Sequence, residues 1–152
     1  MRLAAGLLAL LLLGSCADLP ETLVVKQHQL RDQTRDSSEE PMVRMEKERR
    51  LRGAISMEER RQRLGQYYTI LWSDPKGRGL GPVEVVFEYR QGASGSRVKR
   101  MTKSFPAGDV QGSAAFAVTG DDYFKNGRVL AWQAKVFRSG TELAAKRSYL
   151  WR

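Results

Sequence analysis

Few side chains in this 152-residue sequence are equipped for chemistry, which holds one cysteine, Cys16, and one histidine, His28. A nucleophilic serine needs a paired base, and no G-x-S-x-G, G-x-x-x-x-G-K or H-E-x-x-H stretch is present. Asp121, Asp122 and Asn126 place oxygen ligands close together in the stretch 120–127, but the spacing is not that of a calcium loop and Lys125 intrudes. That stretch is therefore expected to be an ordinary loop, with no metal, no cofactor and no catalytic residue assigned. The densest charge run is Arg97, Lys99, Arg100 and Lys103, with no acid between Arg90 and Asp109. On a strand Arg97, Lys99 and Lys103 share one face with Met101, and Arg100 points to the other. Such a stripe fits an anionic surface: phosphorylated lipid, lipopolysaccharide, acidic peptidoglycan or an acidic protein. It equally fits a lysine-protected sheet edge that discourages aggregation.

Twenty-six basic residues against 17 acidic ones give a net charge of +9, and 41% of the residues are hydrophobic. The length allows one domain with extensions, and the composition is too polar for a multi-span membrane protein. A single cysteine excludes an intrachain disulfide framework and a cysteine-based zinc cluster.

Cys16 gains meaning from what precedes it. Met1 and Arg2 form a short positive end, Leu3 to Leu13 is an apolar run, and Gly14 and Ser15 are small. This is the layout of a secretory signal, with an apolar run too short to span a bilayer. Leu13-Gly14-Ser15-Cys16 resembles the lipobox of bacterial lipoproteins. The resemblance implies a diacylglycerol thioether on Cys16, cleavage between Ser15 and Cys16, and acylation of the new amino terminus. An ordinary signal peptide cleaved near this point, or a buried thiol in a core helix, are the other readings. In two-membrane cells an Asp directly after the lipidated cysteine resembles an inner-membrane retention signal. Ala17 stands there instead, which implies the outer membrane, facing the periplasm.

Behind the signal at 1–15, residues 16–40 show neither helical nor strand periodicity and are expected to be the lipidated cysteine and a flexible tether, with His28 a solvated linker residue. Residues 41–64 interleave acids and bases at high helix propensity, predicting a charged helical neck. Within it Ser56-Met57-Glu58-Glu59 fits a capping box, and Gly65 is expected to end the helix. Residues 65–152 switch to period two. Val83, Val85, Phe87 and Tyr89 alternate with Glu84, Val86, Glu88 and Arg90, while Leu130, Trp132, Ala134 and Val136 define a second apolar face. Tyr68, Trp72, Tyr89, Trp132, Tyr149 and Trp151 form an aromatic set expected to pack between two sheets. Six short strands separated by turns predict a mainly β fold, an antiparallel β-sandwich weakly resembling the immunoglobulin and fibronectin type III folds, preceded by a short charged helix and a disordered tether.

The expected function is a membrane-anchored envelope lipoprotein, a non-enzymatic binding or assembly module held to the membrane by its acyl chains. Its partner would be anionic lipid, peptidoglycan or an acidic envelope protein. Export removes nucleic acid from consideration despite a pI near 10.1. The alternative is an envelope enzyme acting on glycan or lipid through a carboxylate pair drawn from Asp74, Asp109, Asp121, Asp122 and Glu142.

Overall fold

The computed structural model describes residues 21–32 and 38–152. Its strands, in chain order, are β1 (Leu23–Leu30), β2 (Gly65–Ser73), β3 (Val83–Gln91), β4 (Lys99–Phe105), β5 (Gln111–Thr119), β6 (Val129–Arg138) and β7 (Thr141–Arg147). Helices α1 (Pro41–Leu51) and α2 (Met57–Gln62) lie between β1 and β2, and α3 (Gly120–Asn126) lies between β5 and β6. All pairings are antiparallel, in two sheets ordered β1-β2-β5 and β4-β3-β6-β7. The fold is a β-sandwich. Compared with the immunoglobulin constant arrangement, the fourth strand pairs with the third instead of extending the sheet of the fifth.

Period-two patterning places the core. Val83, Val85, Phe87 and Tyr89 of β3 and Trp132, Ala134 and Val136 of β6 face Tyr68, Ile70 and Trp72 of β2 and Ala114, Phe116 and Val118 of β5, all buried. Phe87 is the hub, with ring centroids 4.5 Å from Tyr68, 5.5 Å from Phe116, 5.6 Å from Tyr89 and 6.4 Å from Trp132. Four of the six expected aromatics are in this layer. Tyr149 is instead 90% exposed, and Trp151 lies beyond the last strand with the Arg90 guanidinium 4.8 Å over its ring.

Several expectations are corrected. The flexible tether at 16–40 is too long, because Leu23–Leu30 is a full strand registered against β2 from Leu23↔Trp72 to Leu30↔Gly65. Its sequence, LVVKQHQL, hides the strand because polar residues occupy both faces at one end and apolar ones both faces at the other. The sandwich therefore has seven strands and begins well before residue 65. Gly65 does not end a helix: Arg63 caps α2, and Gly65 opens β2 at φ 149°. A Cβ there would run into the Val118 carbonyl oxygen. The stretch 120–127 is a helix, not a loop, over Gly120–Asn126. Leu130 is exposed because a register irregularity takes the ladder from Arg90↔Ala131 to Gln91↔Val129, leaving Leu130 outside the alternation. The Ser56 capping box is present as expected, with Glu59 N–H donating to the Ser56 hydroxyl and Ser56 N–H to the Glu59 carboxylate.

One end of the sandwich is tied by a buried guanidinium. Arg138 donates from Nε to Asp74 at 2.6 Å, from one terminal nitrogen to the Gly81 carbonyl at 2.8 Å, and from the other to the Asp109 carbonyl at 3.0 Å. It thereby joins the end of β6 to the β2–β3 and β4–β5 connections. Arg138→Met should cost about 3–5 kcal/mol in urea unfolding, because it strands the Asp74 carboxylate and two carbonyls. Adding Asp74→Leu should recover part of that loss, whereas simple additivity of the two substitutions would show that the pair is not coupled.

Candidate functional surfaces

Cys16 and Ser15 lie outside the described residues. Of the four basic residues of the charge run, Lys99 and Lys103 share one face of β4, Arg100 takes the other, and Arg97 precedes the strand. The β3–β4 register pairs Tyr89 with Lys99, Phe87 with Met101 and Val85 with Lys103, so the two lysines are on the inward-facing side of an edge strand. Lys99 is ion-paired with Asp122. Lys103 reaches the Ser113 carbonyl at 3.4 Å and lies 5.5 Å from the Phe105 ring centroid. Arg100 stands opposite Glu88. Inward-pointing charge on an edge strand is a recognised barrier to sheet-to-sheet pairing.

The acids considered for catalysis are also distributed. The Asp74 carboxylate and the Asp109 carbonyl both meet at Arg138. Asp121 and Asp122 belong to α3 at the opposite end, where Asp121 binds Lys125 and Gln62 while Asp122 binds Lys99 and Asn126. Glu142 is exposed near the start of β7. Among the described residues no cluster of three or more His, Cys, Asp and Glu side chains could hold a metal ion.

The helices expected within 41–64 are present as α1 and α2; what the sequence did not reveal is that they cap the sandwich. At the end where β1 runs out and β2 begins, α1 lies against the outer face of the three-stranded sheet. His28, expected in a solvated linker, stands opposite Tyr67 on that face beneath α1. Arg50 lies 4.0 Å over the Tyr67 ring, and the Tyr67 hydroxyl donates to the Arg63 carbonyl. Lys47 is buried beside Asp32 and Glu39, each at 2.8 Å. Burial opposes its charge, but the two carboxylates outweigh that and raise its pKa. Glu46 is held at about 2, chiefly by its hydrogen bond to Arg49 and also by Arg50.

Lys47, and in part Glu46 and Arg50, thus turn inward while Met42 is 68% and Met45 62% exposed; Ile55 in the connection to α2 is 88% and Met57 at the start of α2 67% exposed. A cavity of about 710 Å³ opens on another face of α1, lined by Arg44, Lys47, Glu48, Leu51, Arg52 and Arg60, among others. A second groove, of about 600 Å³, lies at the other end among Val24, Leu71, Trp72, Gly112 and Ser113, and the buried Trp72 indole nitrogen has no hydrogen-bond partner among the described residues.

No protein-family model matches the chain, and no curated protein or solved structure matches it significantly.

His28 carries a testable consequence. Its pKa is lowered, first by burial, with Glu46 opposing and Arg50 and Arg49 reinforcing the shift. The unfolded chain then takes up the proton first, so stability is complete above about pH 6.5 and declines as pH falls through the lower folded pKa. Wild-type thermal midpoints should drop between pH 7 and 5, and His28→Gln should flatten that slope. The Glu46 contribution fades only between about 4.5 and about 2, so the two windows separate. Parallel wild-type and variant curves from pH 7 to 5 would dismiss the role of His28.

Proposed function

We propose that the protein is a lipid-anchored module of the cell envelope that binds or assembles with another envelope component and is not itself a catalyst. The observation that carries this reading is the inverted α1. A surface helix in a small domain ordinarily buries its apolar stripe. Here Met42 and Met45 of α1 are outward, as are Ile55 and Met57 after it, and the same segment lines a cavity with several cationic side chains. Arg44 and Arg52 make no ion pair among the described residues. Arginines and outward-facing, adaptable methionines on the same two helices suit an acidic protein surface with apolar anchors.

The anchor gives this surface its reach. The start of β1 follows Cys16 by seven residues, a span of at most about 25 Å. The helical cap lies at the opposite end of a nine-residue strand, β2, about 30 Å farther on. Acylation on Cys16, with Ala17 following, favours the outer membrane with the cap directed into the periplasm. Tethering raises the effective concentration of the cap near its partner, so modest contacts suffice.

Cys16→Ser should abolish incorporation of a palmitate analogue and release the protein or leave its signal uncleaved; a fully processed, membrane-bound variant would refute the anchor. A photo-reactive residue at Met45 should give discrete cross-linked products in intact cells that Arg44→Glu/Arg52→Glu diminishes at least tenfold. Equal labelling from Met45 and from Ala145, on the exposed edge strand β7, would refute the cap as the binding surface.

A further inference from the structure

The end of the sandwich nearest the anchor has its own chemistry. β1 starts opposite Trp72, the penultimate residue of β2, so Leu23 lies beside the β2–β3 connection. That connection, Ser-Asp-Pro-Lys-Gly-Arg-Gly-Leu-Gly-Pro from Ser73 to Pro82, carries Lys76, Arg78 and Leu80 on its surface, and Leu80 is 67% exposed. Neither Lys76 nor Arg78 makes an ion pair among the described residues. Its one acid, Asp74, is neutralised by Arg138. Asp109 lies in the flanking turn, Glu142 at the start of β7, and Glu21 ahead of β1 is ion-paired with Lys146, which leaves the charge at the tip unopposed.

The loop is built rather than loose. Gly77 N–H donates to the Asp74 carbonyl at 3.0 Å, Leu80 N–H to the Gly77 carbonyl at 3.1 Å, and Gly79 N–H to the Ala107 carbonyl at 3.0 Å. The Ser139 hydroxyl donates to the Leu80 carbonyl at 2.8 Å, and Arg138 holds Gly81. Gly77 is buried against the Asp74 carboxylate and the Arg138 guanidinium, where a Cβ would collide with both. An exposed leucine on a loop held this firmly loses little freedom on contact.

The geometry points to a membrane-contacting foot: Lys76 and Arg78 meet anionic lipid headgroups, and Leu80 enters the boundary between headgroups and acyl chains. This rests on the Cys16 anchor, whose short linker keeps this end within about 25 Å of the lipid. The foot fixes which way the domain stands, with β2 steep to the membrane and the cap pointing away. Each basic residue near an anionic surface favours contact about fivefold, so losing both reduces it about thirtyfold.

The test uses the full acylated chain with a polarity-sensitive fluorophore on Gly108→Cys. Gly108 is exposed in the adjacent Pro106–Asp109 turn with open space around it, so the loop stays intact. On phosphatidylcholine vesicles containing a third phosphatidylglycerol, the label should shift to the blue and be quenched by lipid-borne quenchers. A label on Tyr149→Cys at the far end should do neither. Lys76→Gln/Arg78→Gln/Leu80→Ser should return the Gly108 signal to its aqueous value. An aqueous signal from the parent, or one unchanged by the triple substitution, overturns the foot. A shift produced by soluble muropeptides and not by vesicles would assign the loop to acidic glycan and overturn it too. Mass spectrometry of the same preparation keeps the two readings apart. An unacylated mature chain overturns the anchor, and with it the basis of the foot. An acylated chain whose label stays in water overturns the foot alone.

Discussion

The sandwich depends on one layer of aromatic contact. Phe87 lies at the centre of the inner face of β3 and meets Tyr68, Tyr89, Phe116 and Trp132, so both sheets are held through a single fully buried ring. Offset and tilted aromatic pairs add to the area they bury, and a small domain has little else to draw on. The two ends are closed differently. Arg138 gathers backbone carbonyls and Asp74 at one. At the other, the Gln66 side chain accepts from Val129 N–H, and Gln91 donates to the carbonyls of Asp122 and Gly127.

These closures give the ends separate chemical characters. Where Arg138 neutralises Asp74, the connection after β2 is left with Lys76, Arg78 and an outward leucine on a rigid frame. Where the polar side chains close the core, the chain between β1 and β2 is free to fold into two helices. There Lys47, Glu46 and Arg50 turn toward the sheet and the methionines of α1 turn away. The sandwich thus carries Lys76, Arg78 and Leu80 at one end and two helices with outward methionines at the other, two chemically distinct ends.

The fold divides the charge run between the two faces of an edge strand. β4 is an edge strand, and its pairing with β3 sends Lys99 and Lys103 toward the inner face. One lysine is satisfied by Asp122 of α3 and the other reaches the Ser113 carbonyl across to the second sheet. The charge density seen along the sequence is thereby split between faces and partly neutralised.

Alternation in β3, most of the apolar face of β6 and the buried aromatics Tyr68 and Trp72 of β2 were legible because each strand buries one face, and burial writes a period of two into the residues. The Ser56 capping box was legible because its bonds are local. Tertiary structure alone decided the rest. β1 carries no alternation, and becomes a strand only because β2 offers an unpaired edge whose backbone groups need partners. α3 was hidden by turn-like residues whose helix is held by Gln62 and Lys99 from distant segments. Local spacing places residues on a face; whether that face meets solvent, a carboxylate or another sheet is settled by partners far along the chain, and so no segment read alone contains it.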